Sequence, residues 1–320
     1  MVESSGHLVS VIVVNRNTAD LLIDCLDHIY GLDLEVPPQV IVVDNGSRDE
    51  SVQRVKSAYP TVTVIEAGRN LGFAAANNRA FEKARGDFLL LVNTDAMLEK
   101  DCARKLLNLM IDDPSIGMAG PQLLNPDGSP QTSYEAAPTL ASETLNRSLL
   151  KRLFPSRFPG KTRRLTEPEP VEALIGAVMM IRRAVLEEVG GFDQDYFFFL
   201  EETDLAVRMR SRGWKVMHEP RAVAVHIQGA TARNYEASAR IEFYRSRYLF
   251  FRKHYGAGAT RILKSLLLAN LTLNVIILGS ATLASLGKAE GLAGKFRVRS
   301  ELWKWHLQGC PTGPGLPRDA

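Results

Sequence analysis

Cysteine is scarce in this chain. Three occur in 320 residues, at Cys25, Cys102 and Cys310, with no C-x-x-C spacing. That excludes a disulfide framework and a cysteine-built zinc site, and it fits buried or idle thiols in a reducing compartment. Charge of one sign is equally short: the net charge is +3, too small to mark nucleic acid as the partner. The N-terminus, MVESSGHLVSV, carries no basic n-region, long apolar run or cleavage site. No signal peptide is expected, and the catalytic part is expected in the cytoplasm. The common phosphate loops are also missing. Neither G-x-x-x-x-G-K-[ST] nor a G-x-G-x-x-G after the first apolar run occurs, so a phosphate site would need other groups.

What is present is alternation. HLVSVIVV (7–14) reads as a buried strand, and QVIVVD (39–44), VTVIEA (62–67) and DFLLLV (87–92) as three further strands. Between them, TADLLIDCLDHIY (18–30) puts Leu21, Leu22, Cys25, Leu26 and Ile29 on one helical face. Ser47 to Glu50 fits a capping box that opens a helix to about Ala58. Further helices are expected over 74–85 and 98–110. Strand and helix in turn, with short links, predict parallel strands and right-handed crossovers. After Pro114 the pattern loosens, and 121–170 reads as a long, partly mobile excursion. VEALIGAVMMIRR (171–183) restores a strand with a glycine inside it. YFFFLEETDLAVRMRSRGWKV (196–216) is aromatic, then acidic, then helical, and AVAVHI (222–227) reads as a strand reaching His226.

The C-terminal third differs. RIEFYRSRYLFFRKHYG (240–256) is basic and aromatic, and 265–287 then carry no charge for 23 residues. That length suffices to cross a bilayer. Asn270, Asn274, Ser280 and Thr282 temper it, and Arg252, Lys253, Arg261 and Lys264 before it face Lys288, Lys295, Arg297 and Arg299 after it. Basic residues on both sides leave the orientation open. An interfacial or re-entrant helix, a spanning helix and a helix packed in a soluble or oligomer core all fit. The expected division is 1–238 for a catalytic domain and 239–320 for a helical, membrane-associating region.

Polar residues end three of the strands: Asn15-Arg16-Asn17, Asp44-Asn45-Gly46-Ser47 and Asn93-Thr94-Asp95. Each alone is an ordinary strand terminator. Together they bring amides and carboxylates to the carboxyl edge of a parallel sheet, where such sheets bind ligands. Asp44 can accept from the imide N–H of uracil or thymine, and Asp95 can hold a divalent cation bridging two phosphates. A second cluster, Glu201-Glu202-Thr203-Asp204, opens a helix. Acidic residues there offset the helix dipole, but the aromatic run before them would also raise a carboxyl pKa and suit it to take a proton. His226, before Gln228-Gly229-Ala230-Thr231, is structural, a second metal ligand or a diphosphate contact.

Taken in order, VSVIVVNRN, VVDNGSRDES, GRNLGFAAANNRA, FLLLVNTDAML, GAVMMIRRAVLEEVGGFDQDYFFFLEETDLAVRMRSRGW and VAVHIQGAT resemble the family 2 glycosyltransferases over about residues 8–255. The likeness is to the bacterial rhamnosyltransferase-like branch, which builds O-antigen and other surface polysaccharides. It implies a GT-A fold: an α/β, Rossmann-like, mostly parallel sheet flanked by helices. By resemblance Asn15, Arg16 and Asp44 contact the base, and Asn70 and Gly72 line the nucleotide site. Asn93-Thr94-Asp95 stands at the family's D-x-D motif with its first Asp replaced. The catalytic base falls at Glu201 or Glu202, where the family has Glu-Asp, and His226 matches a histidine that assists metal or diphosphate binding. The implied cofactor is Mg²⁺ or Mn²⁺. The implied reaction is inverting transfer from a nucleotide diphosphate sugar, by resemblance alone dTDP-L-rhamnose, to a polyprenyl-linked or polysaccharide acceptor. It would occur at the cytoplasmic face of the inner or plasma membrane, in a peripheral or re-entrant mode. Transfer to a polyprenyl phosphate, or a non-catalytic nucleotide-binding scaffold, are the alternatives.

Overall fold

A computed structural model describes residues 7–145, 147–154, 165–227, 236–285 and 289–318. The first half alternates as expected: β1 (Val9–Asn15), α1 (Ala19–Tyr30), β2 (Gln39–Asp44), α2 (Ser51–Ala58), β3 (Thr63–Glu66), α3 (Phe73–Phe81) and β4 (Phe88–Asn93). A short strand, β5 (Ala96–Leu98), then precedes α4 (Cys102–Asp112). The loosely patterned stretch holds β6 (Ile116–Leu124), β7 (Tyr134–Glu135), α5 (Leu140–Thr144), α6 (Arg147–Leu153) and β8 (Glu169–Pro170). β9 (Ala173–Leu174), β10 (Val178–Arg182), α7 (Arg183–Val189), α8 (Glu201–Ser211) and β11 (Lys215–His226) complete the α/β part. Two helices follow, α9 (Glu236–Ala284) and α10 (Glu290–Leu307).

Eight strands lie in the order β3-β2-β1-β4-β10-β6-β11-β5, with β8 beside β11. β3, β2, β1 and β4 are mutually parallel. β10 runs against both β4 and β6, and β6 is parallel to β11. All but β10, β5 and β8 therefore point one way. The sheet is mostly parallel, as expected, with an antiparallel strand set into its middle. Both faces are covered, which is why the strands read as unbroken apolar runs. Val11, Val13, Val42, Leu90 and Val92 pack with Leu22, Leu26, Leu106 and Met110 of α1 and α4. Ile12, Ile41, Leu89 and Leu91 pack with Ala76, Ala80, Leu205 and Met209 of α3 and α8.

Three local expectations change. The capping box does not form: α2 begins at Ser51, and Asp49 accepts from the Ser51 N–H and hydroxyl, while Ser47 accepts from the Asn17 N–H. The expected strand 171–183 is two strands, β9 and β10, separated at Gly176. The excursion is built, not loose, where it is described, although 155–164 lie outside the described residues. The glycine turn 228–231 also lies outside them.

α9 breaks at Gly256, whose φ is +82°. Beyond the break it packs against α10 as an antiparallel hairpin, where Phe296 faces Gly279 and Trp303 donates to Thr272 Oγ1 at 2.9 Å; before the break, Tyr248 meets His306 at 2.6 Å. A third core joins Tyr196 and Leu200 to Phe250, Phe251, Leu263, Leu302 and Trp305. The helices are thus packed on the segment that leads into α8.

Candidate active site

The strand-end residues meet as the sheet register requires. Asn15 pairs across with Asp44, and Val14 with Asn93. The Asn15 amide donates to Asp44 Oδ1 (3.4 Å) and Ser47 Oγ (3.1 Å) and accepts from the Thr18 hydroxyl, which lies 3.1 Å from Thr94 Oγ1. Asp44 also accepts from the Ser47 N–H at 3.1 Å. One side of the edge is therefore a braced polar network. Next to it, Asn45 donates to Asn70 Oδ1 and the Gly72 carbonyl and accepts from the Leu71 N–H. Gly72 opens α3 at φ +81°, and a Cβ there would sit 2.2 Å from the Phe197 carbonyl. Only glycine allows that approach.

A cavity of about 420 Å³ lies against this edge. Its lining includes Asn15, Arg16, Asn45, Asn70, Gly72, Asn93, Thr94, Asp95 and His226. Asp44 itself is reached through Asn15 and is not part of the wall. The Arg16 Nε is buried without a hydrogen-bond partner, a donor left for a ligand that enters from the cavity.

Asp95 and His226 come together because β5 and β11 pair antiparallel, setting His226 opposite Ala96. His226 Nε2 lies 3.4 Å from Asp95 Oδ1. Its Nδ1 is 2.7 Å from Gln131 Oε1. The Gln131 amide is oriented by its Nε2, which donates to Asn125 Oδ1 and the His226 carbonyl. Nδ1 therefore donates to Gln131, which turns Nε2 toward the carboxylate. This nitrogen–oxygen pair suits a divalent cation that takes its other ligands from phosphate and water. Among the described residues no three His, Cys, Asp or Glu side chains are grouped so as to hold a metal ion, so Asp95 and His226 would leave most of the ligands to phosphate and water.

A second cavity, of about 230 Å³, adjoins the first and shares Phe73, Asn93, Phe198, Phe199 and His226 with it. Its wall also includes Glu135, Gly176, Glu201, Glu202 and Phe243. Glu201 and Glu202 are placed by strained backbone. Phe199 and Leu200 have φ of +74° and +66°, a conformation unfavourable for bulky side chains. The strain is held from three sides. Phe73 N–H donates to the Phe197 carbonyl (2.9 Å), Ser246 Oγ on α9 donates to the Phe198 carbonyl (2.8 Å), and Phe199 packs edge-on against Phe243.

Burial raises the Glu202 carboxyl to about 7, with the neighbouring Glu135 adding to the shift. Burial and Glu202 raise Glu201 well above the ordinary range, and its Oε2 has no hydrogen-bond partner. Asp204, one turn on, behaves oppositely. It is fully buried, which disfavours its charge, yet bonds from His254, Lys253 and Arg208 hold it at about 2. Arg208 Nε (2.7 Å), His254 Nε2 (2.8 Å) and Lys253 Nζ (2.9 Å) surround it. Asp204 thus fastens α8 to α9, while Glu201 and Glu202 remain available for proton chemistry.

Nearly all the residues singled out from sequence meet around this cleft. Sequence reading missed Gln131 and Glu135, which sit in the excursion with no local pattern to mark them. It also missed the Phe199–Leu200 backbone and Phe243, which reaches the site from α9.

The geometry invites comparison with known proteins. Over 232 residues the chain is 31% identical to N-acetylglucosaminyl-diphospho-decaprenol L-rhamnosyltransferase of Mycobacterium tuberculosis, covering 68% of this chain and 75% of the relative. Two solved structures share the fold at low identity. The mannosyltransferase of Pyrobaculum calidifontis, in complex with GDP-Man and Mn²⁺, superposes with a TM-score of 0.54 at 18% identity, covering 94% of this chain and 86% of that one. GalNAc-T7 with UDP, GalNAc and Mn²⁺ superposes at 0.58 and 17% identity, covering 78% of this chain but 49% of that one. The expected GT-A architecture is therefore present. Residues 10–190 match the model for glycosyl transferase family 2. That match covers more than half of the chain and takes in the strand ends that line the cleft, so this protein belongs to glycosyl transferase family 2.

Proposed function

We propose that the enzyme moves a sugar, with inversion, from a nucleotide diphosphate sugar to a hydroxyl of a lipid-linked or polysaccharide acceptor in cell-surface glycan synthesis. One observation carries this reading. The larger cavity, with Asp95 and His226, adjoins the smaller one, with Glu202, and shares lining residues with it. A diphosphate anchored in the first leaves its sugar facing a base in the second, the opposed arrangement an in-line displacement needs. The nucleotide lies along Asn15, Arg16, Asn45, Asn70 and Gly72, with Asp44 fixed behind Asn15. Arg16 offers its unmet guanidinium donor to phosphate. Asp95 and His226 Nε2 would hold a divalent cation, Mg²⁺ or Mn²⁺, with Asn93 and Thr94 beside them. When bound, the cation neutralises the diphosphate and makes it a better leaving group.

Glu202 is the general base. Half-buried in the acceptor cavity, with its carboxyl raised to about 7, it accepts the acceptor hydroxyl's proton near neutral pH. Glu201 is more deeply buried, and that burial, with the Glu202 charge beside it, favours its neutral form. The similarity to the M. tuberculosis rhamnosyltransferase favours L-rhamnose as the sugar, from dTDP-L-rhamnose, and a sugar on a polyprenyl diphosphate as the acceptor.

The chain divides in function near residue 238. The helix holding Ala237–Ala284 is long and apolar enough to cross a membrane, and 11% of its apolar window is buried. Ile262, Leu266, Leu273, Ile276, Ile277 and Leu283 stay exposed along it. A spanning arrangement would draw α10 in with it, because Phe296 and Trp303 pack against Gly279 and Thr272. Lys295 and Arg297 of α10 are exposed, and each would cost about 3 kcal/mol or more at the bilayer centre. An interfacial hairpin avoids that cost. It buries the apolar stripe in the headgroup region of the cytoplasmic face and keeps the basic residues near anionic lipid.

The test offers purified enzyme dTDP-L-rhamnose, Mg²⁺ and either an N-acetylglucosaminyl-diphospho-polyprenol or a polyprenyl phosphate. Rhamnosylation of the lipid-linked sugar is expected. Product only on polyprenyl phosphate would reassign the acceptor, and nucleotide binding without any transfer would mark a scaffold.

A further inference from the structure

The C-terminal segment after α10 does not trail away from the molecule. It returns across the helices to the donor cavity, where Leu316 and Pro317 form part of the lining. We infer that this segment is the outer wall of the donor site, and that Leu316 and Pro317 are donor-contacting residues. The inference rests on the donor-site reading above and extends it to residues about 250 positions beyond Asn70 in sequence.

The path is built rather than incidental. Trp305 Nε1 donates to the Pro311 carbonyl at 2.9 Å. Arg245 Nη2 donates to the Thr312 carbonyl at 3.0 Å and the Pro314 carbonyl at 2.5 Å. Gly315 then takes a φ of +146°, and a Cβ there would lie 2.7 Å from Glu242 Oε2 and 2.8 Å from Arg245 Nη1. A side chain at 315 would be strained at this φ and would have to displace the paired ends of Glu242 and Arg245. Past the turn, Asn70 Nδ2 donates to the Pro317 carbonyl at 2.7 Å. Arg318 Nη2 donates to the buried Glu242 Oε1 at 2.9 Å, and its guanidinium lies 4.5 Å above the Phe197 ring. The segment is thus tied to α9 and, through Asn70 and Phe197, to the lining of the cavity.

Two observations favour a wall over a plug. About 420 Å³ remains open beside the segment, within the roughly 300–1,000 Å³ range of small-molecule sites. Asn70 spends one N–H on Pro317 and keeps the other for a ligand. Leu316 and Pro317 present apolar surface, which covers a bound nucleotide and excludes water from the diphosphate. Because α10 leads directly into this segment, the helical hairpin and the donor site are joined by a short tether.

The test is calorimetry of UDP, dTDP and GDP with Mg²⁺ on the full chain, on a variant ending at Thr312, and on Leu316→Asp. The truncation keeps the Trp305–Pro311 bond. The nucleotide that binds the full chain best should bind the truncation about tenfold more weakly, the loss expected from uncovering one apolar wall. Leu316→Asp, which adds a negative charge beside an anionic ligand, should weaken binding by at least as much. Circular dichroism melting checks that both variants fold, and Leu316→Asp decides if the truncation does not. Unchanged affinity in the folded variants overturns the wall, and tighter binding overturns it in favour of an obstructing tail. If the full chain binds none of the three nucleotides, the donor-site reading itself has failed.

Discussion

Replacing Glu135 with Gln tests the base assignment through a residue outside the base itself. In the native chain Glu202 titrates near 7, chiefly because it is buried and next because Glu135 is close. A base must be ionised to work, so activity should rise with pH through that value. About a tenth of Glu202 is ionised at pH 6 and about nine-tenths at pH 8, giving roughly a tenfold acid limb in kcat/KM for the acceptor. Gln at 135 removes the like charge but leaves the burial. The limb should therefore move toward acid without reaching the ordinary carboxylate range, and activity at pH 6 relative to the plateau should rise roughly two- to fivefold. The assay is sugar transfer at saturating donor from pH 5 to 9. The midpoint is the readout because Glu135 also lines the acceptor cavity, and a change in acceptor binding would alter the plateau. A flat profile between pH 6 and 8 would refute the assignment of Glu202, and so would a variant whose limb stays fixed or moves toward base.

Three further outcomes are expected. Asp204→Asn should lower stability by about 2 kcal/mol at pH 7, the value of holding that buried carboxyl near 2. Because its folded pKa is depressed, the native advantage is full above about pH 5 and disappears as pH falls toward 2, so wild-type and variant melting curves should converge in acid. Gly72→Ala should cost at least 1–3 kcal/mol and most of the activity, since its Cβ would strike the Phe197 carbonyl at a left-handed φ; native-like melting and turnover would contradict that. Changing Ile276 and Ile277 to Asp should abolish flotation with anionic liposomes while leaving transfer to a water-soluble acceptor intact, because both side chains are exposed; undiminished flotation would rule out this stripe as the membrane contact.

What the sequence made legible follows from how local each signal is. β1, β2 and β4 are continuous apolar runs that end in polar residues, and register alone brings Asn15, Asp44 and Asn93 side by side. The acidic opening of α8 was equally plain, since three carboxylates in a first turn need only local rules. The remaining features depend on partners distant in sequence. Asp95 meets His226 only because the three-residue β5 pairs with the far end of β11, and so short a strand carries no periodicity. Glu135 acts on Glu202 through the fold, and Gln131 on His226 likewise. β10 has the composition of its parallel neighbours, so its reversed direction left no trace in the residues. The return of 311–318 to the donor site is set by Arg245, Glu242 and Asn70, none of which points to a tail when read alone.

The central claim is that a cation-anchored diphosphate and a carboxylate base face each other across one cleft. It is tested most directly by the transfer rate of Glu202→Gln at saturating donor, with donor affinity measured on the same preparation. A fall of about 10²–10⁴-fold, the usual contribution of a general base, with unchanged donor affinity is the predicted result. A variant that keeps more than about a tenth of the native rate would contradict the account.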